Sequence, residues 1–439
     1  MTLRLQPAQV VILAGVVAAL HLTKLIPALP LLQQQMGLSL VQAGFLLSAV
    51  QMSGMALGLA MGLAADRLGL RRSLLLGLVT LTLASSVGTW ATGAWALMAL
   101  RVIEGLGFLL AVTPAPGLIR RMVTPQHLGK QLGLWGAYMP TATALALWCG
   151  PLVMVAIGWQ GLWWLLAGLT AALVWWVWRV VPSDTASLPV TQKPANLASP
   201  LRRTLTHPGP WLVALCFAVY SFQWLAVIGF LPTIYAQAGV AVATTAALTG
   251  IVAAVNMVGN IVSGRLLGLG KLPQHLLYWG YAAMALSAML AFTDKPVSWG
   301  ADLRFSLQFT GVLLFSMVGG VIPGTLFSLA VKLAPDESTV SSTVGWMQQG
   351  SATGQFIGPP LVAWLASRVG GWQWTWLITG ACALAGLFLA RRVGPLLAAS
   401  SARVGADSAA ASTSVTNTAS NAGAMSGATP ASPSKSSGP

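Results

Sequence analysis

Long apolar stretches, each about long enough to cross a lipid bilayer, recur along most of the chain. A spanning helix needs about 20 consecutive apolar residues, and the sequence contains twelve such windows. Lipid offers no partner to an unpaired backbone group, so each window is predicted to be an α-helix. The alternating pattern of a membrane β-strand is absent. The windows cover approximately residues 9–30, 41–65, 73–92, 95–119, 131–157, 161–181, 211–236, 243–267, 274–293, 304–330, 339–367 and 372–392.

Polar segments divide these windows into two sets of six. A stretch rich in proline, serine and basic residues separates the sixth window from the seventh, and the chain ends in an Ala/Ser/Thr/Gly-rich stretch without periodicity. Such an ending cannot bury a core. The predicted organisation is a six-helix half in residues 1–181, a cytoplasmic linker in 182–210, a second half in 211–393 and a disordered cytoplasmic tail in 394–439.

The two halves repeat one another. Gly-Pro, then Gly-Trp-Gln, then a Trp-rich helix ending on Arg occur in both Gly150–Arg179 and Gly358–Arg392, so that Trp159 corresponds to Trp372. Six helices separate the copies, which gives both the same orientation in the membrane. The predicted fold is an all-α membrane protein of twelve transmembrane helices, in two six-helix halves related by a pseudo-two-fold axis along the membrane normal.

Composition agrees with this class, because 56% of the 439 residues are hydrophobic and 7% are charged. The formal net charge of +15 suggests a nucleic-acid partner, but its distribution argues against one. With the N-terminus in the cytoplasm, 18 of the 23 Lys and Arg lie in inner segments and 3 in outer ones. This asymmetry predicts that both termini are cytoplasmic.

Four ionisable residues lie inside two of the windows: His21 and Lys24 in the first, Arg101 and Glu104 in the fourth. A charge at the bilayer centre costs about 2.5–3.5 kcal/mol on insertion scales, so such residues indicate a functional site. Lys24 and Arg101 both lie roughly 10 Å from the outer face at 1.5 Å per residue. Two alternatives remain: Lys24 extends to the outer interface, or Arg101 and Glu104, at i and i+3, form an internal ion pair.

Individual residues inside the windows are candidates for specific roles. Glu104 is the only acid found inside a window, which makes it the first candidate for a transported proton. His21 shares a helix face with Lys24 and can donate to a substrate oxygen or titrate near neutrality. Tyr220 and Gln223 in the seventh window offer hydrogen-bonding groups for a substrate, although aromatic residues there are as often packing.

The loop after the second window reads GLAADRLGLRR. It resembles the G-x-x-x-D-R-x-G-R-R signature of the major facilitator superfamily, with Leu70 where that family usually has a basic residue. The resemblance implies a gating loop between helices 2 and 3. The gating residues it implies are Gly62, Asp66, Arg67, Gly69, Arg71 and Arg72.

A second motif, Arg101-Val-Ile-Glu104-Gly105, resembles the R-x-x-Q-G motif of helix 4 in the same family, with Glu in place of Gln. The resemblance implies that helices 1, 4, 7 and 10 line a central cavity, so that Lys24 and Arg101, at one depth on helices 1 and 4, are predicted to form an anion site there. The stretch LHLTKLIPALPLLQQQMGLSLVQAGFLLS is more loosely similar to bacterial permeases for cyanate and 2-nitroimidazole, which suggests small anions. The glycine pattern of the family's antiporters is largely missing from helix 5.

No Walker loop, nucleophile–base set or metal-type cysteine spacing is present, so an enzyme, a cofactor and a metal site are not expected. The leading hypothesis is a proton-coupled importer of a small anion in a bacterial inner membrane. A proton-driven exporter of drug-like or amphipathic compounds is the alternative, and a membrane sensor with a transporter fold is a third. The expected partners are a small-molecule solute, protons and the lipid bilayer, and a monomer fits this mechanism.

Overall fold

The computed structural model describes residues 6–124, 127, 131, 134–184, 198–336 and 339–399. The side chains of residues 62–67, 198 and 200 lie outside this description, as do residues 185–197 of the predicted linker and residues 400–439 of the predicted tail. Within the described ranges the regular structure is entirely helical. The last helix, Thr375–Ala399, continues beyond residue 393, where the tail was predicted to start.

Ten of the described helices are long and apolar enough to cross a membrane. Their apolar length follows directly from the windows of the sequence. They are Pro7–Met36, Leu40–Met61, Leu70–Gly88, Ala94–Met122, Tyr138–Val180, Pro208–Gln237, Val242–Gly268, Pro273–Phe292, Ala301–Lys332 and Thr375–Ala399.

Two further spans bring the described helices to the predicted twelve. Tyr138–Val180 has 43 residues, about twice the length that a bilayer needs, and Gly158 inside it has the non-helical angles φ 70 and ψ 173. That glycine therefore separates a fifth span from a sixth. Helix Val340–Val369 has 30 residues and supplies the eleventh span. We number the spans 1 to 12 in chain order and call the membrane side that holds the segment between spans 6 and 7 the linker side.

The repeat predicted from the sequence is visible as a repeated contact. Trp159 Nε1 donates to Gln35 Oε1 at 3.0 Å in the first half, and Trp372 Nε1 donates to Gln237 Oε1 at 2.8 Å in the second. A glycine with positive φ lies just before each tryptophan, at residues 158 and 370. Each tryptophan thus joins the turn before the last span of its half to the C-terminal end of the first span of the same half.

The first half has an apolar core near the linker side, where spans 1, 3, 4 and 6 meet. Burial of this core fixes the four spans against one another. The charged residues of the candidate site lie on the same spans, farther from the linker side. Fully buried members of the core include Val10, Ala14, Ala18, Leu74, Leu78, Leu81, Ala111 and Val177.

The two halves touch through spans 2 and 11 and through spans 5 and 8. At Gly44 a Cβ would lie 2.9 Å from the Cα of Pro360, so glycine permits this close approach of spans 2 and 11. Trp148 Nε1 donates to the carbonyl of Ala247 at 3.3 Å, joining span 5 to span 8. Together with contacts between spans 1 and 7, they form the interface between the halves.

Candidate functional site

Span 1 is interrupted at Lys24, beside the polar residues of the candidate site. Helix Pro7–Thr23 ends there and helix Leu25–Met36 begins. Pro27 lacks a backbone N–H, so it cannot bond the carbonyl of Thr23 one turn earlier. The sequence therefore breaks the helix next to His21 and Lys24.

The four ionisable residues predicted from the sequence form one buried cluster, which we call the charged cluster. Glu104 Oε1 lies 2.5 Å from Lys24 Nζ, and Glu104 Oε2 lies 2.6 Å from Arg101 Nη1. His21 Nδ1 lies 3.8 Å from the same carboxylate. None of the four side chains is more than 2% exposed. Extension of Lys24 to the outer interface is therefore wrong, whereas the Arg101–Glu104 pair is present and includes Lys24 as a third member.

Arg101 also binds the backbone of span 1 at the break. Its Nη1 donates to the carbonyl of His21 at 2.5 Å, and its Nη2 donates to the carbonyl of Leu22 at 2.7 Å. Hydrogen bonds from a charged donor are stronger than neutral ones. The guanidinium thus couples the interrupted helix of span 1 to span 4.

Two residues that the sequence analysis missed complete the surroundings of Lys24. Lys24 Nζ donates to Ser85 Oγ of span 3 at 2.8 Å, and Ser85 in turn donates to the carbonyl of Trp163 at 3.0 Å. The ammonium also lies 4.3 Å from the ring centroid of Trp163 in span 6, a cation–π distance. A serine and a tryptophan inside apolar windows carry no sequence signal that would single them out.

The hydrogen bonds around His21 define its tautomer. The Thr170 hydroxyl donates to the carbonyl of Leu166 at 2.7 Å, so Thr170 Oγ1 accepts from His21 Nε2 at 2.7 Å. The ring proton is then on Nε2, and Nδ1 is left as an acceptor 3.4 Å from Lys24 Nζ. His21 therefore extends the cluster from span 1 to span 6.

The charged cluster contains two cationic side chains and one carboxylate, an excess of one positive charge away from water. Buried charges are costly unless they are paired and hydrogen-bonded. The excess can be balanced by a bound anion or by loss of a proton. The arrangement is therefore chemically suited to bind an anion.

The predicted residues of span 7 lie in a different polar cluster. Asn256 Nδ2 of span 8 donates to Tyr220 Oη at 3.1 Å and to the carbonyl of Ser316 of span 10 at 2.8 Å. Gln223 is fully buried; its amide nitrogen donates to the carbonyl of Val219, and its Oε1 has no hydrogen-bond partner among the described residues. Tyr220 and Gln223 are thus polar groups of the second half, and their substrate role stays a prediction.

The predicted gating loop is described only in part. The side chains of Gly62, Asp66 and Arg67 lie outside the described residues. Helix Met52–Leu68 continues span 2 past Met61 and ends before Gly69, which has φ 90. The backbone N–H groups of Arg71 and Arg72 at the start of span 3 donate to Asp184 Oδ1 and Oδ2, both at 3.1 Å. Because Gly69 has no side chain to cap span 3, Asp184 caps it. Asp184 follows span 6 and was not predicted.

A family model described as Major Facilitator Superfamily matches residues 11–343. The chain is 24% identical over 421 residues to a hexuronate transporter of Bacillus subtilis, covering 88% of this chain and 93% of the relative. It is 26% identical to a gallate transporter of Pseudomonas putida, covering 75% and 79%. It is 27% identical to a chloramphenicol resistance protein of Streptomyces lividans, covering 77% and 86%.

A solved structure of the nucleoside transporter NupG has the same fold, with a TM-score of 0.72, 11% identity and coverage of 88% of this chain and 99% of that one. The comparisons therefore support the resemblance to the superfamily. They do not bear on the looser resemblance to cyanate and 2-nitroimidazole permeases, which stays a prediction.

Proposed function

The chain belongs to the Major Facilitator Superfamily, and from that premise we propose that it imports a small organic anion together with protons across a bacterial inner membrane. Membership makes it a multi-pass secondary transporter of a small molecule and not an enzyme. The proposal adds the anionic substrate, the proton coupling, the direction and the placement of the linker side in the cytoplasm. The excess of basic residues on that side supports this placement.

The charged cluster is the observation that carries the proposal. Lys24 and Arg101 share the single carboxylate of Glu104 in a site that water does not reach. Retaining an uncompensated cation within a bilayer is costly and needs a functional reason. A substrate carboxylate supplies the missing negative charge.

Competition for the two cations links the anion to a proton. In the structure, both oxygens of Glu104 are held by cations. A bound anion draws on Lys24 and Arg101, which releases Glu104 to accept a proton. Anion and proton then load together, as symport requires, and leave the net charge of the cluster as it was before either bound. Rocking of the two halves exposes the site to the other side.

The names of two relatives agree with an anionic substrate. Hexuronates and gallate each carry a carboxylate, and the corresponding transporters match most of this chain. A carboxylate is also the group that a buried arginine binds best, because two parallel hydrogen bonds are available. We therefore expect a small carboxylic acid as the substrate.

Uptake into proteoliposomes tests this function. Labelled glucuronate and gallate are supplied outside, with glucose as the neutral control, and the outside is acidified or left at the inside pH. We expect one or both of these acids to accumulate against a concentration gradient only when the outside is acidic. Glucose should not accumulate. Accumulation that ignores the pH gradient, or uptake of glucose alone, would contradict the proposal.

Export of drug-like compounds is the second candidate, favoured by the chloramphenicol resistance relative. Glycines 354 and 358 of span 11, where part of the antiporter glycine pattern occurs, lie against the backbone of span 7: a Cβ on either would come within 2.5 Å of a carbonyl oxygen. Close packing alone explains these two glycines. Chloramphenicol efflux from energised vesicles, without uptake of either acid, would favour export.

A further inference from the structure

The surface of span 2 that faces the other half carries small residues. A Cβ on Gly54 would lie 2.9 Å from the Cβ of Ala352, and one on Gly58 would lie 3.1 Å from the Cβ of Gln349. Ala352 and Gln349 belong to span 11. The absence of side chains on span 2 therefore brings polar groups of span 11 against its backbone.

The side chain of Gln349 binds the backbone of span 2 through both ends of its amide. Its Nε2 donates to the carbonyl of Met55 at 2.7 Å, and its Oε1 accepts from the N–H of Leu59 at 3.0 Å. Met55 and Leu59 are four residues apart, so this carbonyl and this N–H are the two groups that an α-helix pairs with each other. One side chain of the second half thus engages both members of a hydrogen-bonding pair in the first half.

We propose that Gln349 is a positioning residue of the transport cycle, which holds the two halves in the described state through an exchangeable backbone contact. Transport requires spans 2 and 11 to shift against each other as the halves rock. When Gln349 withdraws, the carbonyl of Met55 and the N–H of Leu59 pair with each other in the ordinary helical bond. The backbone of span 2 then leaves no unpaired group, so the contact stabilises one state without blocking the transition.

The neighbouring contact between the halves differs in this respect. Gln51 Nε2 donates to Gln355 Oε1 at 2.9 Å, and both groups belong to side chains. Gln355 lies on the same helix as Gln349 and six residues farther along it. Gln355→Leu is therefore a matched control, because it removes one amide from the same interface and leaves the backbone pair of span 2 untouched.

Pulsed spin-label distances between the ends of spans 2 and 11 test the proposal. The natural residues Cys149, Cys216 and Cys382 are replaced by alanine, and labels are placed on the exposed positions 68 and 341. The full-length protein is measured in nanodiscs. We expect Gln349→Leu to change the ratio of the two distance populations by about three- to tenfold, the effect of losing one or two net hydrogen bonds, and Gln355→Leu to change it less.

Gly58→Ala provides an independent route to the same result. Its methyl group would meet Cβ and the backbone Cα of Gln349, at 3.1 and 3.3 Å, and so push span 11 away from span 2, while alanine favours the helix. We expect a shift in the same direction as in Gln349→Leu. Unchanged populations in Gln349→Leu or in Gly58→Ala, or an equal shift in Gln355→Leu, would each overturn the proposal. None of these readouts depends on the identity of the substrate or on proton coupling.

Discussion

The two halves share a scaffold and differ in the charge that they bury. Lys24 precedes Gln35 by eleven residues, and the residue eleven before Gln237 is Ala226. By the same count, His21 of the first half corresponds to Gln223 of the second. The first half buries a lysine, an arginine and a glutamate, whereas the corresponding region of the second half offers neutral hydroxyl and amide groups. A structural repeat can therefore be kept while charge chemistry is confined to one copy.

The same asymmetry appears in the surroundings of the cluster. Thr170, which accepts from His21, lies eleven residues after Trp159, and the residue eleven after Trp372 is Ala383. Ala226 and Ala383 are both buried. The second half thus has alanines in place of Lys24 and of the threonine that binds His21, which is the inexpensive solution in a bilayer.

Among the variants that test this difference in buried charge between the halves, loss of Glu104 should have the largest effect. In Glu104→Gln, Lys24 and Arg101 stay buried without a counter-charge, and we expect the free energy of unfolding to fall by about 3–5 kcal/mol. Denaturant titration in detergent measures it. Accumulation of substrate driven by an acidic outside should also disappear in proteoliposomes.

A second variant separates charge imbalance from lost packing. Lys24→Met combined with Glu104→Gln removes one of the two uncompensated cations, so we expect it to recover part of the stability. A loss below about 1 kcal/mol in Glu104→Gln would contradict the importance of the buried pairs. If Glu104→Gln still accumulated substrate in response to a pH gradient, Glu104 would not carry the coupled proton, and His21 would be the next residue to test.

Replacement of Lys24 should affect transport more than stability. We expect Lys24→Gln to lower uptake of the transported acid at least about tenfold, a loss of one charge-assisted hydrogen bond, while Lys24→Arg retains more of it. Lys295 is the matched control, because it lies after span 9 and bonds only to nearby backbone carbonyls in the described contacts. Normal uptake by both Lys24→Gln and Lys295→Gln would contradict an anion site in the first half.

The second half should tolerate the loss of a polar group better. Tyr220→Phe removes one hydrogen bond from Asn256, whose amide keeps its bond to the carbonyl of Ser316. We expect a loss of about 1 kcal/mol or less in the free energy of unfolding, measured by the same denaturant titration. A loss as large as that of Glu104→Gln would show that the two halves depend equally on their buried polar groups.

The sequence predicted the twelve spans and the repeat because both depend on patterns along the chain. It also identified His21, Lys24, Arg101 and Glu104, since charge inside an apolar window is conspicuous. It could not show that Lys24 shares Glu104 with Arg101. Spacing determines which residues face each other on one helix, but contacts between helices depend on their rotation and depth.

Contacts to the backbone were equally hidden from the sequence. Any side chain can bind a carbonyl or an N–H, so no residue type marks the partner. Two residues make such contacts: Gln349 of span 11 binds the backbone of span 2, and Asp184 binds the backbone at the start of span 3. They lie outside the charged cluster, and their predicted effects are correspondingly smaller.

The smallest effect on the binding of substrate is expected at Asp184. Asp184→Ala leaves the N–H groups of Arg71 and Arg72 without their cap, and loss of a helix cap costs about 1 kcal/mol. Because Asp184 follows span 6 and caps span 3, its loss should loosen the linker side and slow turnover. The charged cluster is built from other residues, so substrate affinity should stay the same. Asp184→Asn keeps one acceptor oxygen, so its turnover should lie between that of the unchanged protein and that of Asp184→Ala. Measuring affinity and maximal uptake rate in the same vesicles checks this, and a weakened affinity with an unchanged rate would show that the cap acts on the site itself.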